Sequence, residues 1–587
     1  MLPTFNLRAI LWATLAMALL LNYFAWQVEF PPPAAPAGTT ANAPAANGAA
    51  NGTGPDLGSV APVINASPAP AAAPGAAPAS AGSAPGTSTA GSLANPAVGN
   101  ALDASTASAA APNVHVVTDV LDVLVSLEGG ELTRVDLPAY PLVKGEPTPV
   151  RLLNRDGPKS LFVLQSGLAG AAGVPMPTNT ARFSAPASEL RLAAGQDELR
   201  LPLTWTDDKG VTVTKTYTFR RGQYRIGLDY RVHNGAAAPW TYTPYTQLLR
   251  YNEPVANSYF HPESYAYKGP AYDDGQKYQK LKMGKEPPTL DRQIDGGWLA
   301  AMQHHFVAAI VPPTGAPWNY RLTTRGDEYL LAAIGPTQQV APGASASLHQ
   351  RLFVGPKLRV QLDQTNPRLY LVADYGWLSA VARPLFWLLD HVHRVVGNWG
   401  WTIMIATLLL KLLFYPLSEA SMRSMARMKA LQPRIKALQE MYKDQRDKLG
   451  KATMELYQKE KVNPVAGCLP MLLQFPVFLA FYWVLLESVE MRQAPFIGWI
   501  GDLSARDPLF ILPALMAGAN YINFKLNPQM GDPTQQKMFM IMQIAMPVMF
   551  AFMPSGLVLY WTTNTVLSIL QQWNINRRLA AQAKARN

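Results

Sequence analysis

One lysine stands where a charge is expensive. Residues 399–417 read WGWTIMIATLLLKLLFYPL, apolar and, at about 19 residues, close to the roughly 20 that cross a bilayer as a helix. Lys411 interrupts this stretch. An ammonium at that depth costs about 3 kcal/mol on insertion scales. A charge at that depth is a functional hypothesis by default. Helical spacing places Met404, Thr407, Lys411, Tyr415 and Ser418 along one stripe, with Thr407 one turn from the lysine. A plainer role stays open at this point. Lys411 lies about seven residues, roughly 10 Å, from the end of the stretch, and a lysine stem can snorkel toward the headgroups.

Other reactive residues do not assemble into a site. The chain has no G-x-x-x-x-G-K-[ST], no H-E-x-x-H and no G-x-S-x-G. His304 and His305 are adjacent and would point to opposite faces of a strand; His391 and His393, two apart, share no helical face. Neither pair suits a metal. Cys468 is the single cysteine, which excludes an intrachain disulfide. Val465-Ala466-Gly467-Cys468 looks like a lipoprotein processing site but lies too deep in the chain to be one. The sequence points to no cofactor, no enzymatic activity and no direct nucleic-acid binding motif.

The elements that position Lys411 follow from composition and period. Of the 587 residues 49% are hydrophobic and only 15% charged, and the apolar residues come in blocks, as in a membrane protein. Residues 1–30 carry Arg8 and an apolar run ending in bulky aromatic residues, which favours a retained signal anchor over a cleaved signal peptide. Residues 31–112 are mostly Ala, Pro, Gly, Ser, Thr and Asn with Asp56 and Asp103 as the only charges, a disordered linker. Residues 113–355 change to period two: Tyr224, Ile226, Leu228, Tyr230 and Val232 alternate with polar residues or glycine. Hairpins are predicted at 211–232 and at 121–137, and the region reads as a large β-sandwich. Its Tyr265, Tyr267, Tyr272 and Tyr278 would be exposed, as packing and turn material or as sugar-stacking platforms.

Residues 375–396 form an apolar stripe with Arg383, Asp390, His391 and Arg394 opposite, an amphipathic helix for the membrane surface. Spans are predicted at 399–417, 465–486, 508–526, 538–553 and 556–573. The fourth is short, which implies local bilayer thinning, and the last carries Thr562, Thr563, Asn564 and Thr565 at mid-depth, which must face protein or water. Between the first two lies a charged helical hairpin at 419–461, with eleven Lys or Arg against six Asp or Glu. Gly450 is expected to break it, Pro433 to stand near a helix start, and Met422, Met425 and Met428 to form a ridge that serves as core or as an adaptable surface. The basic hairpin, the basic tail at 574–587 and the acidic loop at 487–507 fix orientation by the positive-inside rule: both termini cytoplasmic, the β domain outside.

Asn398-Trp399-Gly400, Tyr415-Pro416-Leu417, Lys461-Val462-Asn463-Pro464, Gly467-Cys468-Leu469-Pro470, Gln474-Phe475-Pro476, Arg492-Gln493-Ala494-Pro495-Phe496, Asp502-Leu503-Ser504, Asp507-Pro508 and the run from Phe552 to Tyr560 together resemble the YidC membrane protein insertase family, Gram-negative type with a large periplasmic domain. The resemblance is dense from 398 to 576 and rests on layout for the exported part. It implies a five-helix transmembrane bundle plus an N-terminal anchor helix in the inner membrane, enclosing a hydrophilic groove open to the cytoplasm and the lipid. Many members carry arginine at the groove cation; Lys411 keeps the charge without the planar fork of donors.

The implied groove residues are Lys411, Thr407, Tyr560 and Trp561, and the implied apolar slide for the substrate is Leu472, Phe475, Phe478, Met542 and Met546. The implied partners are nascent membrane proteins, Sec translocon components, the ribosome and targeting factors, and anionic lipids. Two rivals fit less of the chain. A secondary transporter would show an inverted repeat, and none is visible. A membrane-anchored carbohydrate-binding module leaves the core spans unexplained.

Overall fold

The structure, a computed structural model, describes residues 112–584 apart from 172, 254–257, 259–263, 265, 285, 287, 374, 443–444, 461, 463–468 and 527–532. The predicted anchor helix, the linker up to residue 111, Tyr265 and Cys468 lie outside the described residues.

The period-two region folds into two sheets, one of eleven strands and one of eight. In the first, Leu132–Pro141, Phe162–Ala169, Trp240–Tyr251 and Glu328–Ile334 lie side by side. In the second, Trp298–Met302, Phe306–Val311, Ser345–Pro356, Arg225–Asn234, Val211–Arg220 and Glu198–Thr206 follow in order. Both predicted hairpins form: Phe219 pairs with Ile226, and Val123 with Val135. Alternation decides the faces. Tyr224, Ile226, Leu228, Tyr230 and Val232 are buried while Arg225, Gly227, Asp229 and Arg231 are not. One apolar cluster takes residues from both sheets, including Val116, Leu201, Ile226, Trp298 and Leu352, and each such side chain stabilises by about 1.5–3 kcal/mol.

Two expectations about this domain are corrected. His304 and His305 lie in the turn between two strands, not on a strand, and their rings stack at 3.8 Å because a turn releases them from the alternation that separates strand neighbours. The described tyrosines are not exposed platforms. Tyr272 is buried, the Tyr267 hydroxyl donates to the carbonyls of Pro270 and Leu281 (2.7 and 2.8 Å), and the Tyr278 ring packs on Trp298.

The helices follow: α1 (Arg359–Thr365), α2 (Ser379–Val396), α3 (Trp399–Leu413), α4 (Tyr415–Met441), α5 (Arg446–Lys459), α6 (Leu469–Glu487), α7 (Ile511–Leu526), α8 (Pro533–Phe550) and α9 (Ser555–Lys584). The apolar stripe of α2 is real: Ala382, Leu385, Phe386 and Leu389 are buried, and the helix packs on α3 and α6. Gly397 ends it at φ 72°, where its N–H reaches the His393 carbonyl.

The 399–417 stretch is not one helix. It bends by 62° at Phe414, and Pro416 sits in the first turn of α4, where a missing N–H is harmless. Tyr415 and Ser418 therefore leave the stripe expected to continue from Lys411. Among the described residues no single helix is long and apolar enough to cross a membrane; α3 and Tyr415–Ser424 together reach that length and composition as a bent pair, and Gln474–Glu487 is a shorter apolar helix.

In the charged hairpin α4 ends at Met441 and α5 begins at Arg446, so Gly450 lies inside α5, and Pro433 lies inside α4 rather than near a start. Met428 is 3% exposed and packs with Leu431 and Val462, so it belongs to the hairpin's own core; Met422 is half-buried, and the side chain of Met425 lies outside the description. The basic tail is no separate segment, since α9 runs on through it to Lys584.

Candidate functional site

α3 begins at a side-chain cap. Asn398 Oδ1 accepts from the N–H groups of Gly400 and Trp401 (2.9 and 3.2 Å), which leaves α3 with a fixed start from which Lys411 is counted off three turns later. α9 runs beside α3 and α7. Across that seam Lys411 Nζ donates to Ser568 Oγ at 2.8 Å, and Ser568 Oγ donates in turn to the Asn564 carbonyl at 2.8 Å. Thr565 Oγ1 donates to Asn520 Oδ1 of α7 at 3.3 Å, and Gln572 Nε2 to the Leu526 carbonyl at 3.0 Å.

Thr407, Asn520, Asn564, Thr565, Gln571 and Gln572 are all buried. The amide nitrogens of Asn520 and Gln571 are buried without a hydrogen-bond partner among the described residues. Each such orphan costs about 1–3 kcal/mol. A bundle stabilised by packing alone would not keep them, so the interior of α3, α7 and α9 is a polar seam with a cation toward its inner end.

Thr407 is in this seam, although its own hydroxyl donates to the Ile403 carbonyl at 2.6 Å. Tyr560 and Trp561 are not beside Lys411. Tyr560 is 2% exposed and stacks on Phe481 (4.2 Å, 19°), while Trp561 meets Phe478 edge-on (5.0 Å, 84°) and lies 5.4 Å from Phe550. Ser568 is seven residues further along α9, roughly 10 Å by helix rise. The two rings thus pack among Phe478, Phe481 and Phe550 away from Ser568, while the Tyr560 hydroxyl meets Gln474.

The expected slide divides as well. Phe475 is exposed, but Phe478 and Met546 turn inward and pack against the core. The side chains of Leu472 and Met542 lie outside the description. Ile541 and Val548 of α8 are each 62% exposed and extend the apolar surface that Phe475 begins. Ser568 and Asn520 were missed in the sequence. The signal that could have found Ser568 is its place one turn beyond Asn564 and Thr565 on the same helix.

The outer end of the bundle is closed by an interlock of the quoted motifs. Asn398 Nδ2 donates to the Phe496 carbonyl (3.2 Å), and Gly400 lies so close to the Phe496 ring that a Cβ would fall 1.9 Å from it. Asp507 accepts from Trp499 Nε1 (3.0 Å) and from the N–H of Leu512 (2.7 Å), which caps α7. Ser555 Oγ donates to the Asp502 carbonyl (2.8 Å), and the Gly556 N–H to that of Leu503 (2.9 Å).

The β domain docks on the same loop. Arg492 donates to the Pro141 carbonyl (2.9 Å), Lys144 to the carbonyls of Gln493 and Gly501, and His304 Nε2 faces the Leu486 carbonyl at 2.7 Å. Lys357 and Glu487, both buried, are 3.7 Å apart. Burial and the nearby Lys357 push the His304 imidazole down to about 4, and burial pushes His305 lower still. Burial also pushes the Glu490 carboxyl up to about 7.

A β-sandwich seated on an apolar helical bundle with a polar interior defines a class of membrane protein, and comparison with known proteins places the chain within it. The family model described as YidC periplasmic domain matches residues 113–388, and the one described as 60Kd inner membrane protein matches 391–583. The membrane protein insertase YidC of Thioalkalivibrio sulfidiphilus is 47% identical over 505 residues, 83% of this chain and 89% of that protein. That of Nitrosococcus oceani is 45% identical over 470 residues, covering 79% and 85%. A solved structure described as an active YidC insertase with the first transmembrane domain resolved is similar at 20% identity with a TM-score of 0.35, covering 78% of this chain and 92% of that one. The chain belongs to the YidC membrane protein insertase family, and is an inner-membrane protein with a periplasmic domain.

Proposed function

We propose that the protein inserts newly made membrane proteins by way of the polar seam, without nucleotide hydrolysis, working alone or beside the Sec translocon. The observation that carries this reading is Lys411 held against Ser568 at the inner end of buried polar residues whose outer end is closed by aromatics and the 488–510 loop. A substrate's acidic tail enters from the cytoplasm, drawn to Lys411. Its apolar segment leaves along Phe475, Ile541 and Val548, and partition into lipid drives the transfer. The membrane potential adds about 2.3 kcal/mol per charge per 100 mV.

In this reading both termini are cytoplasmic. The hairpin of α4 and α5 and the basic end of α9 receive chains from ribosomes or targeting factors, and the basic end also rests on anionic lipid.

The test is insertion of a single-span protein with an acidic N-terminal tail into proteoliposomes that hold only this protein. Wild type and Lys411→Arg insert it and Lys411→Ala does not. Equal insertion by all three would reduce Lys411 to a snorkelling residue.

A further inference from the structure

The hairpin that joins the strands Leu132–Pro141 and Pro149–Leu153 ends in an apolar tip that the β-sandwich does not bury. Among the described residues from 113 to 356, the exposed large hydrophobic side chains are Leu142, Val143 and Val174, so two of the three are neighbours in this one turn. Apolar residues scattered singly over a surface need no explanation, whereas contiguous ones mark a contact.

The turn is fastened to the loop between α6 and α7. Lys144 donates to the carbonyls of Gln493 and Gly501, which draws its ammonium away from the tip and into the loop. Arg492 donates to the carbonyls of Pro141 and Leu142 (2.9 and 3.2 Å), and Gln493 Nε2 to that of Pro141 (3.0 Å). Gln493 keeps a left-handed backbone, φ 58°, a strain that persists where surrounding contacts over-determine it.

That loop carries its own apolar surface. Ile497 and Trp499, between the two carbonyls that Lys144 takes, are exposed, and so are Leu509 and Phe510 just before α7. Trp499 is amphipathic in use, its ring exposed and its Nε1–H on Asp507. Trp401, in the first turn of α3, is exposed as well and meets the Phe496 ring edge-on at 5.5 Å. Exposed tryptophans at the ends of apolar helices mark the headgroups of a bilayer. This level rests on the reading of α3, α6 and α7 as membrane spans.

We propose that the hairpin tip rests among the lipid headgroups of the outer leaflet, with Leu142 and Val143 as its contact. The lipid surface is then the partner that covers this edge of the periplasmic domain and, with the bonds to the loop, sets the height of the sandwich. Glu146, exposed in the same turn, keeps the tip out of the hydrocarbon.

The single cysteine makes the test direct. In a Cys468→Ser background, or Cys468→Ala should the serine form not fold, a polarity-sensitive nitrobenzoxadiazole label is placed at Val143→Cys, Ile497→Cys or Val174→Cys in turn. Strands Leu132–Pro141 and Phe162–Ala169 run antiparallel through the pair Leu132 and Leu164, so Val174 lies beyond the end of the sheet opposite the tip. The full chain is reconstituted in phosphatidylcholine liposomes doped with phosphatidylcholine spin-labelled near the top or near the end of its acyl chain. The labels at 143 and 497 emit to the blue of the label at 174 and are quenched more by the shallow spin label than by the deep one, while the label at 174 is quenched by neither. A label at 143 that emits as the one at 174 does overturns the proposal. So does a blue-shifted label at 143 that neither lipid quenches, since protein then covers the tip. An unquenched label at 497 overturns it in a distinguishable way, by removing the level on which it rests.

Discussion

Lys411 is held by a serine hydroxyl rather than by a carboxylate. A salt bridge there would cancel the charge, whereas a hydroxyl positions it without neutralising it, as the insertion proposal requires. Ser568→Ala is therefore expected to keep more than about half of wild-type insertion in proteoliposomes, with Lys411→Ala falling to background. Loss of activity in both to the same degree would mean that the hydrogen bond, not the charge, matters. The lysine was legible because a charge breaks a hydropathy run, as was the polar stretch at Thr562 to Thr565. Ser568 and Asn520 were not, because their roles depend on which helices become neighbours. Tyr560 and Trp561 went astray for the same reason: sequence proximity to polar residues does not say which way a helix turns its aromatic face.

At the scale of elements, the close fit of Gly400 against Phe496 makes the start of α3 sensitive to a single methyl group. Gly400→Ala is expected to cost about 1–3 kcal/mol by overpacking, read as a lowered Tm of the solubilised protein, with Phe496→Leu recovering part of it. Asn398→Ala removes an N-cap and is expected to cost about 1 kcal/mol by the same measurement. A Gly400→Ala protein as stable as wild type would show that the loop yields freely. The two hairpins at 121–137 and 211–232 were legible because period two states both the element and its buried face; the order of the strands in the two sheets was not. Helix ends were less so. The sequence reading let a stripe run past Pro416, which in fact opens a new helix, and broke α5 at Gly450, although a glycine inside a helix costs only about 1 kcal/mol.

Across the whole molecule, the domains meet beside the paired imidazoles of His304 and His305, the first part-buried and the second buried. His304 sits near 4 in the docked state against an ordinary value of 6.5, so the undocked state binds more protons between those limits. Docking is therefore full above about pH 6.5 and weakens as pH falls toward about 4. The cationic neighbours Lys357, Arg492 and Lys268 add to the cost of protonation. Hydrogen exchange in residues 486–493 should quicken over that range, and less so in His304→Gln; exchange that does not change with pH would contradict it. The family layout was readable in the sequence, but the contact surface between the domains was not, since Pro141, Lys144, His304 and Arg492 carry no pattern that links them.

The outer interlock also has a mechanical consequence. Asn398, Asp507 and Ser555 tie the outer starts of α3, α7 and α9 to a single loop. Helices pinned at one end spread as a fan does, by small angles at the rivet and large displacements at the rim, once the inner bonds from Lys411 to Ser568 and from Gln572 to Leu526 part. With a pivot about 20 Å from the inner ends, a tilt of roughly 10° opens a few ångströms there and almost nothing at the outer surface. Such a tilt would leave the outer surface shut.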